Sequence, residues 1–200
     1  MERKPYTRNT TLSGNAMTGR RFDPEAAEKL ESTDRFRYLS RDELISALDV
    51  EADASVLDLG SGTGFYTREV AAFVGSIHAI DLQPEMHEAF GTYGIPDNVC
   101  VVSAMASSLP FRETSMDGAY STMTYHEYEE GAMRAVYRVL TSGGTLVVVD
   151  WSKRGEEERG PPLSARFLPE DAAESIRTAG FDIERVDSRP ETFLIVATKP

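Results

Sequence analysis

The stretch Ser55-Val56-Leu57-Asp58-Leu59-Gly60-Ser61-Gly62-Thr63-Gly64 decides how this chain folds. A short apolar run passes directly into a turn with glycine at every second position, and a helical pattern over about 64–74 follows. Open parallel sheets bind ligands where such strands end, at their carboxyl edge. Glycines let the backbone turn sharply and come close to a ligand. The first N–H groups of the following helix are available to an anionic group.

Spacing separates the ligand classes. A dinucleotide fingerprint, G-x-G-x-x-G, needs glycine at position 65 or 67, where the chain has Phe65 and Thr67. No G-x-x-x-x-G-K-[ST] phosphate loop is present. What remains is D-x-G-x-G-x-G, followed seventeen residues after Gly64 by Asp81 at the end of a second strand. An acid there can accept both hydroxyls of a ribose. Taken alone, Asp81 is equally a solvated strand-end acid or the N-cap of the helix that begins at Pro84; the neighbouring glycine turn favours the ribose.

Outward from this turn the chain alternates. Strands read at Ser55–Leu59, Ser76–Asp81, Val99–Ser103, Asp117–Thr122 and Thr145–Asp150, with helical stretches near 64–74, 84–92 and 129–140 between them. Strands joined by helices imply a parallel sheet covered on both faces. The end differs: a helix over 169–179 stops at Gly180, and Phe181–Val186 and Thr192–Thr198 are joined only by Asp187–Glu191, which forces an antiparallel pair. Ahead of the sheet, Asp23-Pro24-Glu25 and Ser40-Arg41-Asp42-Glu43 are helix starts, so residues 24–48 read as helical. The chain thus divides into a flexible tail (1–21), a helical segment (22–50) and the main domain (51–200). Phe36, Tyr38, Leu39, Leu44 and Ile45 must be buried somewhere. Covering the open carboxyl edge would bury them; packing on the outer helices is the plainer alternative. Lys153–Pro162 is the one long polar loop.

Composition bounds the function. The net charge is −12, and the acid lies outside the basic first 21 residues, so the body repels phosphate backbones and offers no broad nucleic-acid surface. The chain has 17 Arg but only 4 Lys. Acid with little lysine suits a salt-loving microbe, although GC-rich coding alone gives the same arginine bias. No apolar run reaches the length of a membrane span, and the start lacks the apolar centre of a secretory signal. Its Arg/Thr-rich character faintly suggests an organelle transit peptide, but a tail is the better reading. A lone cysteine, Cys100, allows no internal disulfide and fits a cytoplasmic protein.

At this point the sequence resembles a known family. Val56–Gly64 is similar to motif I of the class I methyltransferases that use S-adenosylmethionine (SAM), and Ala79-Ile80-Asp81 to their acidic second motif. Leu109-Pro110-Phe111 with Met116-Asp117, and Arg138-Val139-Leu140-Thr141-Ser142-Gly143-Gly144, resemble the ubiquinone/menaquinone-biosynthesis-type (type 11) subgroup. The resemblance is close over 55–150 and loose over 165–200. It implies a Rossmann-like α/β fold: seven strands in the order 3-2-1-4-5-7-6, mostly parallel with strand 7 antiparallel, and helices on both faces. It implies SAM as cofactor, S-adenosylhomocysteine (SAH) as product and no metal. It places Gly60, Ser61, Gly62 and Gly64 close to the cofactor, Asp58 at its methionine amino group, Asp81 on the ribose and Leu82 against adenine. The family's adenine-binding Asp is replaced here by Met105, which can pack on the ring, while Ala106 can still offer its backbone N–H.

Methyl transfer is an in-line displacement that depends on alignment, so no signature base is required. His126 can deprotonate an acceptor near neutral pH, or it is a structural histidine near a helix start. Tyr125 lines the site or simply packs. Tyr38, Tyr66 and Trp151 are candidate walls of a substrate pocket. Ser121-Thr122-Met123-Thr124 stands where adenine and glutamine-amide methyltransferases keep Asn/Asp-Pro-Pro-aromatic, and one cysteine cannot handle arsenic as arsenite methyltransferases do. A small organic acceptor is the expectation. The alternatives are a SAM-binding module without catalysis and, further off, an NAD(P)-dependent oxidoreductase.

Overall fold

The apolar runs form strands whose alternate residues serve opposite faces. In a computed structural model, which describes residues 22–200, they are β3 (Ser55–Leu59), β4 (Ser76–Asp81), β5 (Val99–Ser103), β6 (Met116–Thr122), β7 (Leu140–Trp151), β8 (Asp182–Ser188) and β9 (Thr192–Thr198). Of the residues before Phe22 only backbone is placed, in a short antiparallel pair, β1 (Tyr6–Arg8) with β2 (Arg20–Phe22). The tail read over 1–21 otherwise lies outside the described residues.

The main sheet runs β5-β4-β3-β6-β7-β9-β8. Its first five members are parallel; β9 is antiparallel to both neighbours. Numbering only these seven strands, the order is the expected 3-2-1-4-5-7-6. Leu57, Leu59, Ile80, Ala119 and Val148 face one layer with α4 (Ala132–Val139) and α5 (Pro169–Thr178). Val56, Ile77, Tyr120, Val147 and Val149 face the other, with α1 (Arg41–Leu48) and α2 (Phe65–Ala71). A further helix, α3 (Pro84–Tyr93), buries Met86 and Phe90.

The register lines up the carboxyl ends. Leu59 pairs with Ile80 and Ser121, Asp81 with Ser103, and Thr122 with Val149. Residues Gly60, Leu82, Ala104 and Met123 therefore leave the sheet along one edge.

Two expectations change in detail. Residues 24–48 are not one helical run. Asp23 does cap, accepting from Glu25 N at 3.1 Å, but it starts a 3-10 turn, Pro24–Glu31; a second, Thr33–Arg37, follows a break at Ser32. Neither turn has a fully buried residue, so neither has an apolar stripe to hold a regular α-helix. Only α1 is regular, capped by Ser40 Oγ accepting from Glu43 N at 3.1 Å. The fifth sheet strand starts at Leu140 rather than Thr145, because Met116 pairs with Leu140 before a register shift brings Gly118 to Thr145. Among the described residues no helix is long and apolar enough to cross a membrane.

Arg138 explains why two of the quoted motifs occur together. Its guanidinium donates to Phe111 O at 2.7 Å and Leu109 O at 2.8 Å, so the arginine before β7 holds the Leu-Pro-Phe loop. Arg138→Ala should lower unfolding free energy by roughly 2 kcal/mol, from the loss of hydrogen bonds to a charged donor. Urea denaturation with an unchanged m-value would register it.

Candidate active site

The carboxyl edge opens into a cavity of about 800 Å³, within the size range of small-molecule sites. The three glycines of the turn all have positive φ, and Gly60 and Gly62 line the cavity. A Cβ on Gly60 would lie 2.3 Å from Thr124 Cγ2, and one on Gly64 2.3 Å from the Phe90 ring, so both are needed for packing. At Gly62 a Cβ would meet only Leu30 Cδ1, at 3.3 Å. Gly60 N and Ser61 N donate to Ile80 O at 2.8 and 2.9 Å. Gly62 N donates to Asp81 Oδ2 at 2.9 Å, and Gln83 N to Asp81 Oδ1 at 2.9 Å. Burial raises the Asp81 pKa, while these backbone donors pull it down. The carboxylate is thus fixed in orientation, with lone pairs left for a ligand.

Of the residues expected at the site, Gly60, Ser61, Gly62, Asp81, Leu82, Met105, Ala106, Tyr38 and Trp151 share this wall. Five do not. Asp58 lies beneath the turn, where Thr67 Oγ1 donates to its Oδ2 at 2.5 Å, and burial pushes its pKa up to about 7 against that bond. Gly64 begins α2. Tyr66 points its hydroxyl at Arg35 O and Leu39 O, 3.1 and 3.0 Å away. Tyr125 is buried against Tyr128 and Phe167. His126 is buried behind the wall. Its backbone N donates to Asp150 Oδ2 at 2.6 Å and its Nδ1 lies 2.9 Å from Asp150 Oδ1. Burial alone would lower the imidazole pKa, but the Asp150 charge and hydrogen bond outweigh it and leave it raised.

Several wall residues escaped the sequence reading. Glu127 carries a carboxyl into the cavity, 3.6 Å from His126 Nε2. Burial lifts its pKa to about 7, opposed by His126 and by the backbone of Phe22. An acid at a helix start reads as solvated, and only its place directly after His126 could have flagged it. Lys29, Leu30, Ser32, Asp34 and Arg35 come from the segment before the sheet, and residues 157–160 from the polar loop. The two meet over the opening: Arg159 pairs with Asp34 at 3.0 Å, and Tyr38 meets Trp151 edge-on at 4.9 Å. Arg166 is buried with Glu191 at 3.0 Å, donates to Pro161 O at 2.9 Å and to Arg159 O, and so pins the loop. Arg68 on α2 holds the other side, donating to Thr63 O at 2.8 Å and pairing with Glu31 at 2.5 Å.

Buried acids give the fold a pH dependence. Asp58 has its folded pKa raised from 3.8 to about 7, so between these values the native state holds a proton that the unfolded chain has lost. Stability from this group is therefore greatest below the unfolded value and declines as pH rises through the window. The melting temperature of Asp58→Asn should fall less than that of the natural chain between pH 5 and pH 8, since asparagine can still accept from Thr67. Calorimetric melts across that range measure it.

Comparison with known proteins places this geometry. Residues 57–148 match a family model described as a methyltransferase domain. The ubiquinone/menaquinone biosynthesis C-methyltransferase UbiE of Hahella chejuensis is 35% identical over 115 residues, covering 52% of this chain and 45% of that protein. The chain therefore spans less than half the length of this curated relative. A SAM-dependent methyltransferase from Aquifex aeolicus, solved by crystallography, superposes with a TM-score of 0.82 at 26% identity, covering 90% of this chain and all of that one. The [4+2]-cyclase SpnF shares the fold, with a TM-score of 0.70 at 22% identity over 80% of this chain and 79% of that one.

Proposed function

We propose that this chain, which carries a methyltransferase domain of the SAM-dependent family, transfers the methyl group of SAM to a small organic acceptor held in the same cavity. The observation that carries the reading is the hydrogen bond from Gly62 N to Asp81 at 2.9 Å, on the wall of a cavity that continues to Trp151. It joins the glycine turn to the strand-end acid in one rigid surface.

The residues fit the cofactor end to end. Leu82, Met86, Met105 and Ala106 form an apolar slot for a flat base, and Asp81 accepts from the ribose hydroxyls. Gly62 lets the backbone come close to the methionine portion, beside Gly60 and Ser61. Asp58 and Gly64 act from beneath, shaping the turn. When bound, SAM supplies a methyl group on a positively charged sulfur. The chain's part is alignment and dryness. Alignment of two reactants can be worth up to roughly 7–11 kcal/mol. Residues 22–38 and 157–160 close over the wall and exclude water from the reacting centre, with Tyr66 fixing the first of these segments from below. Tyr38 and Trp151 form the wall at the acceptor end, with Tyr125 packed behind.

The second reading is a SAM-binding module without catalysis. Calorimetry should show binding of SAM and SAH without added metal and no response to NAD. Incubation of metabolite extracts with methyl-labelled SAM should then transfer label to a small molecule. Binding without any labelled product would favour the second reading, and a response to NAD alone would reject both.

Asp81→Asn should weaken SAH binding by about ten- to hundredfold, the worth of a hydrogen bond to a charged acceptor. Unchanged affinity in the folded variant would mean the ribose is held elsewhere.

A further inference from the structure

Asp150, His126 and Glu127 form a line of side chains that the cofactor site does not use. Asp150 closes the buried core of β7 and accepts from three donors: His126 N at 2.6 Å, Trp151 N at 2.7 Å and His126 Nδ1 at 2.9 Å. These bonds fix both the imidazole plane and its tautomer, with Nδ1 toward Asp150. The other nitrogen, Nε2, faces Glu127 Oε1 at 3.6 Å, the reach of an ion pair rather than a hydrogen bond. His126 and Asp150 are sealed from the cavity, while Glu127 stands on its wall. The line therefore runs from the sheet to the cavity and ends on a carboxyl.

Position along the edge matters. Asp81 ends β4, whereas Glu127 follows β6, two strands further toward Trp151. At a strand spacing of about 4.8 Å that is roughly 10 Å across the cavity. With the base against Leu82 and Met105 and the ribose on Asp81, the methionine portion of the cofactor would run along the edge toward β6, the side on which Glu127 stands.

Resting on the reading under Proposed function, we infer that Glu127 is the base that takes a proton from the methyl acceptor, with His126 and Asp150 as the residues that position and charge-balance it. The acceptor is then a nucleophile with a proton to give up, such as a primary or secondary amine, a hydroxyl or an activated carbon acid, and not a tertiary amine or thioether. The step balances. The acceptor atom forms a bond to the methyl carbon as the carbon–sulfur bond breaks, and the electron pair of that bond stays on sulfur. The acceptor's proton passes to a Glu127 oxygen, leaving neutral products and a carboxylic acid that solvent later deprotonates.

The surroundings suit a base that works near neutrality. Burial raises Glu127 to about 7; His126 and the backbone of Phe22 lower it, and Asp81 and Asp150 raise it. His126 in turn feels Asp150, which raises its pKa, and Arg166, which lowers it. A base at about 7 is ionised above that pH and still basic enough to draw a proton.

The test needs no acceptor. A SAH analogue bearing a primary amine in place of the transferable methyl presents a cation where the acceptor's proton would be lost. The natural chain should bind this amine about ten- to hundredfold more tightly than SAH at pH 8. That preference should shrink at pH 6, as Glu127 takes up its proton. Glu127→Gln should bind SAH as before and lose both the preference and its pH dependence, while Glu127→Asp should keep part of each. In His126→Gln the midpoint of the preference should move to higher pH, because the carboxyl loses a cationic neighbour. A folded Glu127→Gln that retains the full preference overturns the inference. If the natural chain binds neither ligand, the cofactor reading fails and this one with it; if it binds both equally at every pH, only this one fails.

Discussion

The hydrogen bond between Gly62 N and Asp81 Oδ2 is the constraint from which the site is built. It would be impossible without two others, Gly60 N and Ser61 N onto Ile80 O, which fold the end of β3 back across the end of β4. The turn must then take positive φ at alternate residues, which only glycine does without strain. It must also pass so close to Thr124 and Phe90 that no side chain fits. The D-x-G-x-G-x-G pattern is the sequence record of those contacts. Asp58, directly before the turn, is buried under it and bonded to Thr67, which ties the first turn of α2 to the strand. Burying that acid disfavours its charge, which raises its pKa to about 7.

Such constraints are local or fixed by spacing, and that is why the sheet and one half of the cavity are legible in the sequence. Alternating apolar runs give the seven strands, and the short Asp187–Glu191 link gives the antiparallel end. Asp81, Leu82, Met105 and Ala106 follow from their distance to strand ends. The other half is assembled by chain segments that arrive from far away. Lys29, Arg35 and Glu157 reach one wall only because α1 anchors its predecessor against β6 and β7 while Arg166 pins the loop. No periodicity encodes such a meeting. The helix-start signal at Asp23 was sound, since the cap forms; what it cannot specify is the kind of helix, which depends on a buried stripe that residues 24–31 lack.

The segment before the sheet therefore has two parts with different energetics. Leu39, Leu44 and Leu48 are buried in the same core as Val56 and Val147, so this part belongs to the scaffold. Residues 24–37 contribute no fully buried side chain: Phe36 packs on the edge of the core against Phe65 and Tyr66, and the remaining contacts are polar, Glu31 to Arg68, Arg35 Nη1 to Leu30 O at 3.0 Å, and Asp34 to Arg159. Exposed ion pairs such as Asp34–Arg159 contribute at most about 1 kcal/mol each. The Tyr38–Trp151 contact contributes about 0.5–1.5 kcal/mol more. The contacts between this segment and the 157–160 loop are thus weak beside those that hold Leu39, Leu44 and Leu48 in the core.

The same difference in holding strength separates the two sides of the site. On the cofactor side, Asp81 is fixed by backbone donors of the sheet edge itself, so its geometry is as rigid as β3 and β4. On the side of Glu127, rigidity comes through Asp150, which accepts the Trp151 and His126 backbone N–H groups together with the imidazole. One carboxylate thus fixes the end of β7, the start of the turn at Tyr125–Glu127 and the histidine that faces the cavity acid. Removing the charge at Asp150 would leave buried donors without an acceptor, a costly arrangement. Exchanging Glu127 for its amide would leave those bonds intact. The architecture places its structural charge behind the wall and its titrating carboxyl on it, so the groups that hold the site together need not be the groups that exchange protons within it.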